Sequence, residues 1–195
     1  LLALLLIGGG LTCVWFEIGR PWRAMNVYRH VATSWMTREA MVALALFAAA
    51  GLAWLTLHPL LVVAAGLLGL AFIYSQARIL AANKGIPAWR HPRSVPLLIA
   101  TGLAEGAGLL ACVASLGSAP IGDGAVLALI VLIACRGVLW KRYLDGLTTD
   151  GAPEGALKVL RALAPRFVVV GHLLPALILV AALAGMPGRA GLIAV

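Results

Sequence analysis

Repeated apolar runs, each close to twenty residues long and nearly free of charge, constrain this chain more than any other feature. They lie at about 1–18, 39–57, 59–80, 94–116, 124–143 and 164–184, and another run begins near 190. The hydrocarbon core of a bilayer, about 30 Å thick, is crossed by roughly 20 helical residues rising about 1.5 Å each. Lipid offers no hydrogen-bond partner to the backbone, so such a run is read as a helix. Composition agrees: 63% of the 195 residues are hydrophobic and 11% are charged, whereas soluble domains have about 45–50% apolar and about 25% charged residues. No polar stretch is long enough to form a soluble domain. The sequence therefore predicts an all-α fold, a polytopic transmembrane helix bundle of six to seven spans in a single domain over 1–195. His58-Pro59 divides one long apolar stretch into two helices joined by a tight turn, because the residue before proline is driven away from helical geometry. Both ends lie within apolar runs, and the first lacks the basic start of a signal peptide. The chain thus reads as a portion of a longer protein.

Alternation across the membrane assigns the connections to two faces. Face A holds 19–38, 81–93 and 144–163, and face B holds the turn at 58, 117–123 and 185–189. Of the fifteen Lys and Arg, every one but Arg189 lies in a face-A connection or in the face-A half of a span. By the positive-inside rule face A is cytoplasmic. The net charge of +8 is thereby accounted for by topology and calls for no nucleic acid. Aromatic residues follow the charge: Trp15, Trp22, Trp35, Trp89, Trp140, Tyr28, Tyr74 and Tyr143 sit toward face A, and Trp54 lies near face B. A lipid-interface belt populates both faces, so this bias points to a partner-docking surface or the mouth of a site on face A. The connection 19–38 carries Arg20, Arg23 and Arg29 among aromatic residues, with Pro21 placed to start a short interfacial helix.

Ionisable groups inside spans are expensive and mark function by default. Glu17 closes the first span and Glu39 opens the second, both at face A; Tyr74, Ser75, Gln76 and Arg78 form the face-A end of the third. Glu105 lies near mid-depth, and Arg136 and His172 lie about two turns inside their spans. A pocket opening toward face A for an amphipathic ligand needs this arrangement. A quinone headgroup takes hydrogen bonds at interface depth, and a carboxylate beside it is placed to accept a proton. Glu105, Arg136 and His172 form a second cluster, read either as a proton route or as an interhelical ion pair in which Arg136 neutralises a buried Glu105. Of His30, His58, His91 and His172, only His172 is well inside a span. No pair of histidines faces across the bundle, so no haem is expected. Cys13, Cys112 and Cys135 stand singly in apolar runs and give no metal-ligand spacing. Two alternatives stay open on the residues: a haem-bearing quinone-oxidising subunit and a small-solute transporter.

The run Phe16-Glu17-Ile18-Gly19-Arg20-Pro21, followed by Thr33-Ser34-Trp35-Met36-Thr37-Arg38-Glu39, resembles the membrane-anchor subunit family of dimethyl sulfoxide reductase. That family has a helix end reading His-Leu-Gly-(Arg or Ser)-Pro, a basic loop, and Ser-Trp-(Leu or Met)-(Ser or Thr)-Arg-Glu opening the next helix. Tyr74-Ser75-Gln76-Ala77-Arg78-Ile79, with Pro87-Ala88-Trp89 beyond it, extends the match over 16–93. The resemblance implies an eight-helix, haem-free anchor in the bacterial inner membrane. It implies two partners, a four-cluster ferredoxin-like iron–sulfur subunit and a molybdopterin catalytic subunit, which carry those cofactors themselves. The anchor would not act on the substrate of the complex. It would bind menaquinone or ubiquinone and exchange electrons with the nearest cluster, in a terminal reductase or a sulfite-oxidising complex. The family's quinol-binding Glu maps onto Glu39, and its His maps onto Glu17, a departure. With Arg20, Arg38 and Arg78 read as shaping the headgroup pocket or docking the partner, and Tyr74 beside them, the expected quinone-binding set is Glu17, Arg20, Arg38, Glu39, Tyr74 and Arg78.

Overall fold

The computed structural model describes residues 2–17, 26–28, 30–117 and 121–184. These residues form helices and short connections, with no strand among them. The chain divides into two compact units, Leu1–Ala82 and Asn83–Val195. The span expected near 190 and the proposed helix start at Pro21 lie outside the described residues.

The first unit contains α1 (Leu2–Glu17), α2 (Trp35–Thr56) and α3 (Pro59–Ala82). Helix α2 starts at Trp35, ahead of the boundary at 39 drawn from hydropathy. The reason is local: Ser34 is extended, and its hydroxyl accepts the Thr37 N–H at 3.4 Å. A side-chain cap of this kind starts a helix irrespective of where the apolar run begins. At the other end Leu57 adopts the left-handed conformation, φ 53°, and returns its N–H to the Ala53 carbonyl at 2.8 Å. Pro59 then opens α3, where its missing N–H leaves no helical bond unmade. The two-residue turn makes α2 and α3 an antiparallel hairpin. Gly8 of α1 faces the Phe47 ring, which a Cβ would meet at 3.6 Å.

The second unit contains α4 (Pro87–Arg90), α5 (Ser94–Leu116), α6 (Asp123–Thr149) and α7 (Glu154–Leu183). Within α7, Val169–Leu173 form one wider π-helical turn. Helices α6 and α7 extend beyond the apolar spans 124–143 and 164–184 and meet at a short turn where Gly151 has φ 70°. Hydropathy marks only the apolar part of a helix, whereas the hydrogen-bond ladder continues until a turn residue stops it. Two core clusters hold the unit: Ala88, Leu97, Tyr143, Leu147 and Leu157 toward that turn, and Val126, Leu129, Ile133 and Leu179 toward the other end.

Five helices, α2, α3, α5, α6 and α7, are long and apolar enough to cross a bilayer. Helix α1, expected as a further span, has 16 residues, about 24 Å at 1.5 Å per residue. Large apolar side chains such as Leu44, Leu60, Leu67, Leu110 and Leu177 point outward along these helices. In water that surface would be costly, and in lipid it is matched.

Candidate functional site

Glu39 and Gln76 stand at nearly equal distances along their helices from the Leu57-His58 turn, about 26 Å at 1.5 Å per residue. The hairpin therefore brings the start of α2 against the end of α3. Gln76 Nε2 donates to Glu39 Oε1 at 2.9 Å, and Glu39 retains 9% of its exposure. Trp35, one turn earlier on α2, packs edge-on against Tyr74 with ring centroids 5.7 Å apart. Two guanidinium groups lie over the Trp35 ring, Arg38 at 4.5 Å and Arg78 at 4.8 Å. The Arg78 Nε is buried without an acceptor among the described residues.

Arg38 also has a structural task. Its Nε donates to the Val31 carbonyl at 3.0 Å and its Nη2 to the Ala32 carbonyl at 2.6 Å. Thr37, fully buried, donates its hydroxyl to the Val27 carbonyl. Val27, Val31 and Ala32, before α2, are thus tied to its first turn. The hairpin brings together Arg38, Glu39, Tyr74 and Arg78 from the sequence-derived set, and adds Trp35 and Gln76. Glu17 lies exposed at the end of α1. Arg20 is outside the described residues.

In the second unit, Arg136, His172 and Glu105 do meet, but burial runs opposite to expectation. The Arg136 side chain is 8% exposed and that of Glu105 is 68% exposed, at an Nη1–Oε1 distance of 3.8 Å. The buried member is the cation, and its main partners are on α7. Arg136 Nε donates to His172 Nε2 at 3.3 Å, Nη2 donates to the Gly171 carbonyl, and the guanidinium lies 5.3 Å from the Phe167 ring. His172 Nδ1 is 2.9 Å from the Phe167 carbonyl. A carbonyl only accepts, so Nδ1 carries the proton and Nε2 receives the Arg136 bond. Pro175 explains why Arg136 is held here. Proline has no N–H to close the helical turn onto the carbonyl four residues earlier, and that carbonyl belongs to Gly171.

A further cluster, which the sequence assigned only to connections, gathers at the α6–α7 turn. His91 Nε2 contacts Asp150 Oδ2 at 3.1 Å, and His91 Nδ1 accepts the Arg93 N–H at 3.2 Å. Arg93 Nη1 donates to the Arg142 carbonyl at 2.6 Å, and the Tyr143 hydroxyl to the Ala88 carbonyl at 3.1 Å. A sequence signal for this cluster exists in Gly146, whose missing side chain leaves room for His91 and Arg93.

The family model described as DMSO reductase anchor subunit (DmsC) matches residues 1–182. No curated protein and no solved structure matches the chain. The family match, with five helices able to cross a bilayer, assigns the chain to the DMSO reductase anchor subunit family: it is a multi-pass membrane anchor subunit of a DMSO reductase-type complex.

Proposed function

We propose that this anchor binds a membrane quinone, menaquinone or ubiquinone, at the Glu39 cluster and exchanges electrons with an iron–sulfur subunit docked on the basic face. The observation that carries the reading is the buried Glu39 carboxylate, held by Gln76 at 2.9 Å in one cluster with the Arg78 Nε, which has no acceptor among the described residues. A quinone, when bound, supplies two-electron, two-proton chemistry. The residues present suit its headgroup: an acceptor in Glu39, a donor in Arg78, and aromatic faces from Trp35 and Tyr74. Glu39 accepts the hydroxyl proton of the reduced form. Arg78 donates to a ring oxygen, and Arg38 holds Val31 and Ala32 of the preceding connection in place. Glu17 and Arg20 complete the set on the preceding segment. Glu105, Arg136 and His172 form a proton route in the second unit, linked through Arg136, which contacts both of the others.

The partners in this reading are a four-cluster ferredoxin-like subunit and a molybdopterin catalytic subunit, which hold the iron–sulfur clusters and molybdopterin. The complex sits in the bacterial inner membrane with the basic face toward the cytoplasm. Purification of the tagged chain in mild detergent, with metal analysis, tests the assembly. Iron and molybdenum co-purifying with two further polypeptides are expected; a chain that purifies alone and metal-free overturns the reading. In the assembled complex, Glu39→Gln is expected to lower quinone-coupled turnover about a hundredfold or more, the scale of losing a general base, while turnover with an artificial electron carrier that bypasses the anchor stays unchanged. Full quinone coupling in that variant would remove Glu39 from the site.

A further inference from the structure

We propose that Gln76 sets the redox-state preference of this site by fixing Glu39 as a one-sided acceptor, which favours the hydroxyl-bearing quinol over the oxidised quinone. The inference rests on the reading of the Glu39 cluster as a quinone site. An ionised carboxylate accepts hydrogen bonds and donates none, so Gln76 must present its amide NH2. That NH2 occupies Oε1 at 2.9 Å. Among the described residues it is the side-chain hydrogen bond made to Glu39, and Oε2 keeps its accepting capacity. Gln76 itself is exposed, and its amide reaches inward to Glu39. Its neighbours Ser75 and Ala77 are buried, and the Ser75 hydroxyl returns to the Ala71 carbonyl at 2.8 Å.

The two redox forms of the ligand differ in hydrogen-bond character. A quinol presents O–H donors at both ends, and a quinone presents carbonyl acceptors. An acceptor oxygen held in place attracts the first and repels the second. Arg78 gives no reason to prefer the quinol, because its N–H groups donate to a hydroxyl oxygen or to a carbonyl oxygen. Selection between the forms therefore falls on Glu39, and its sharpness falls on the residue that orients it. Without Gln76 the carboxylate is free to turn away, and a bound quinol must then order it.

Equilibrium binding to the full chain in lipid nanodiscs tests this, with decylubiquinol and decylubiquinone as one pair and menadiol and menadione as the other. Gln76→Met keeps the side-chain volume and removes the donor. It is expected to weaken quinol binding about tenfold, the scale of one hydrogen bond to a charged group, while quinone binding moves by less than about twofold, since that form makes no bond to Glu39. Should the methionine variant not fold, Gln76→Ala reads the same ratio. An unchanged ratio, or a parallel loss for both forms, overturns the inference and leaves Gln76 a packing residue. Glu39→Gln separates this failure from that of the underlying reading. If it leaves both affinities untouched, the quinone site itself is elsewhere; if it abolishes the preference while Gln76→Met does not, only the role of Gln76 is lost.

Discussion

A methyl group at Gly146 would stand 2.6 Å from His91 Nε2 and 2.7 Å from Arg93 Nη1. The arginine terminus has freedom to shift. The His91 ring has less, since one nitrogen contacts Asp150 and the other accepts the Arg93 N–H. Gly146→Ala is therefore expected to destabilise the second unit by about 1–3 kcal/mol through overpacking, read as a lower melting temperature in detergent. An unchanged melting temperature would mean that the 87–93 segment yields to the added methyl. Individual residues also show what sequence reading can reach. Glu39 was legible because Ser34-Trp35 and Arg38 flank it in a recognisable run. Gln76 as its partner was not: its distance from the Leu57-His58 turn gives the level along α3 and not the face. Hydrogen bonds across a hairpin depend on the rotation of each helix about its axis, and no local pattern here encodes that rotation.

At the scale of elements, α7 shows how a proline in one helix is answered by a cation in another. The π-helical turn Val169–Leu173 sits just before Pro175, and Arg136 of α6 supplies the donor that Pro175 cannot give to Gly171. Arg136→Leu is expected to cost about 1–3 kcal/mol, the penalty for a buried acceptor left unsatisfied. In a Pro175→Ala background the helix regains an N–H at the required position, so the same substitution should cost less. A double-mutant cycle on melting temperatures checks this; equal penalties in the two backgrounds would disconnect Arg136 from the proline. Arg136 and His172 stood out in the sequence as ionisable groups within spans. That Arg136 is the buried partner and Glu105 the exposed one was not legible there, because depth along a helix says nothing about which face a residue occupies.

At the scale of the whole molecule, the basic connections gather at one end within each unit. In the first, the start of α2 meets the end of α3 through Trp35, Arg38 and Arg78, and the segment before α2 is bonded to Arg38. In the second, His91 and Arg93 meet Arg142 and Asp150. Under the proposed orientation, a Lys84→Cys variant is expected to react with a membrane-impermeant maleimide in inverted vesicles and to stay unlabelled in intact spheroplasts. The opposite pattern would reverse the topology. The sequence by itself determined the helical class and the membrane setting, and it marked the carboxylates and cations at the ends of the spans. Run length and charge distribution are one-dimensional properties, and a bilayer reads them directly. Only the tertiary structure decided that Gln76 holds Glu39, that Trp35 lies beneath two guanidinium groups and that Arg136 serves the π turn of α7. Where lipid and helix interface are equally apolar, hydropathy does not distinguish the face that packs from the face that meets lipid, and those pairings appear only once the helices are set side by side.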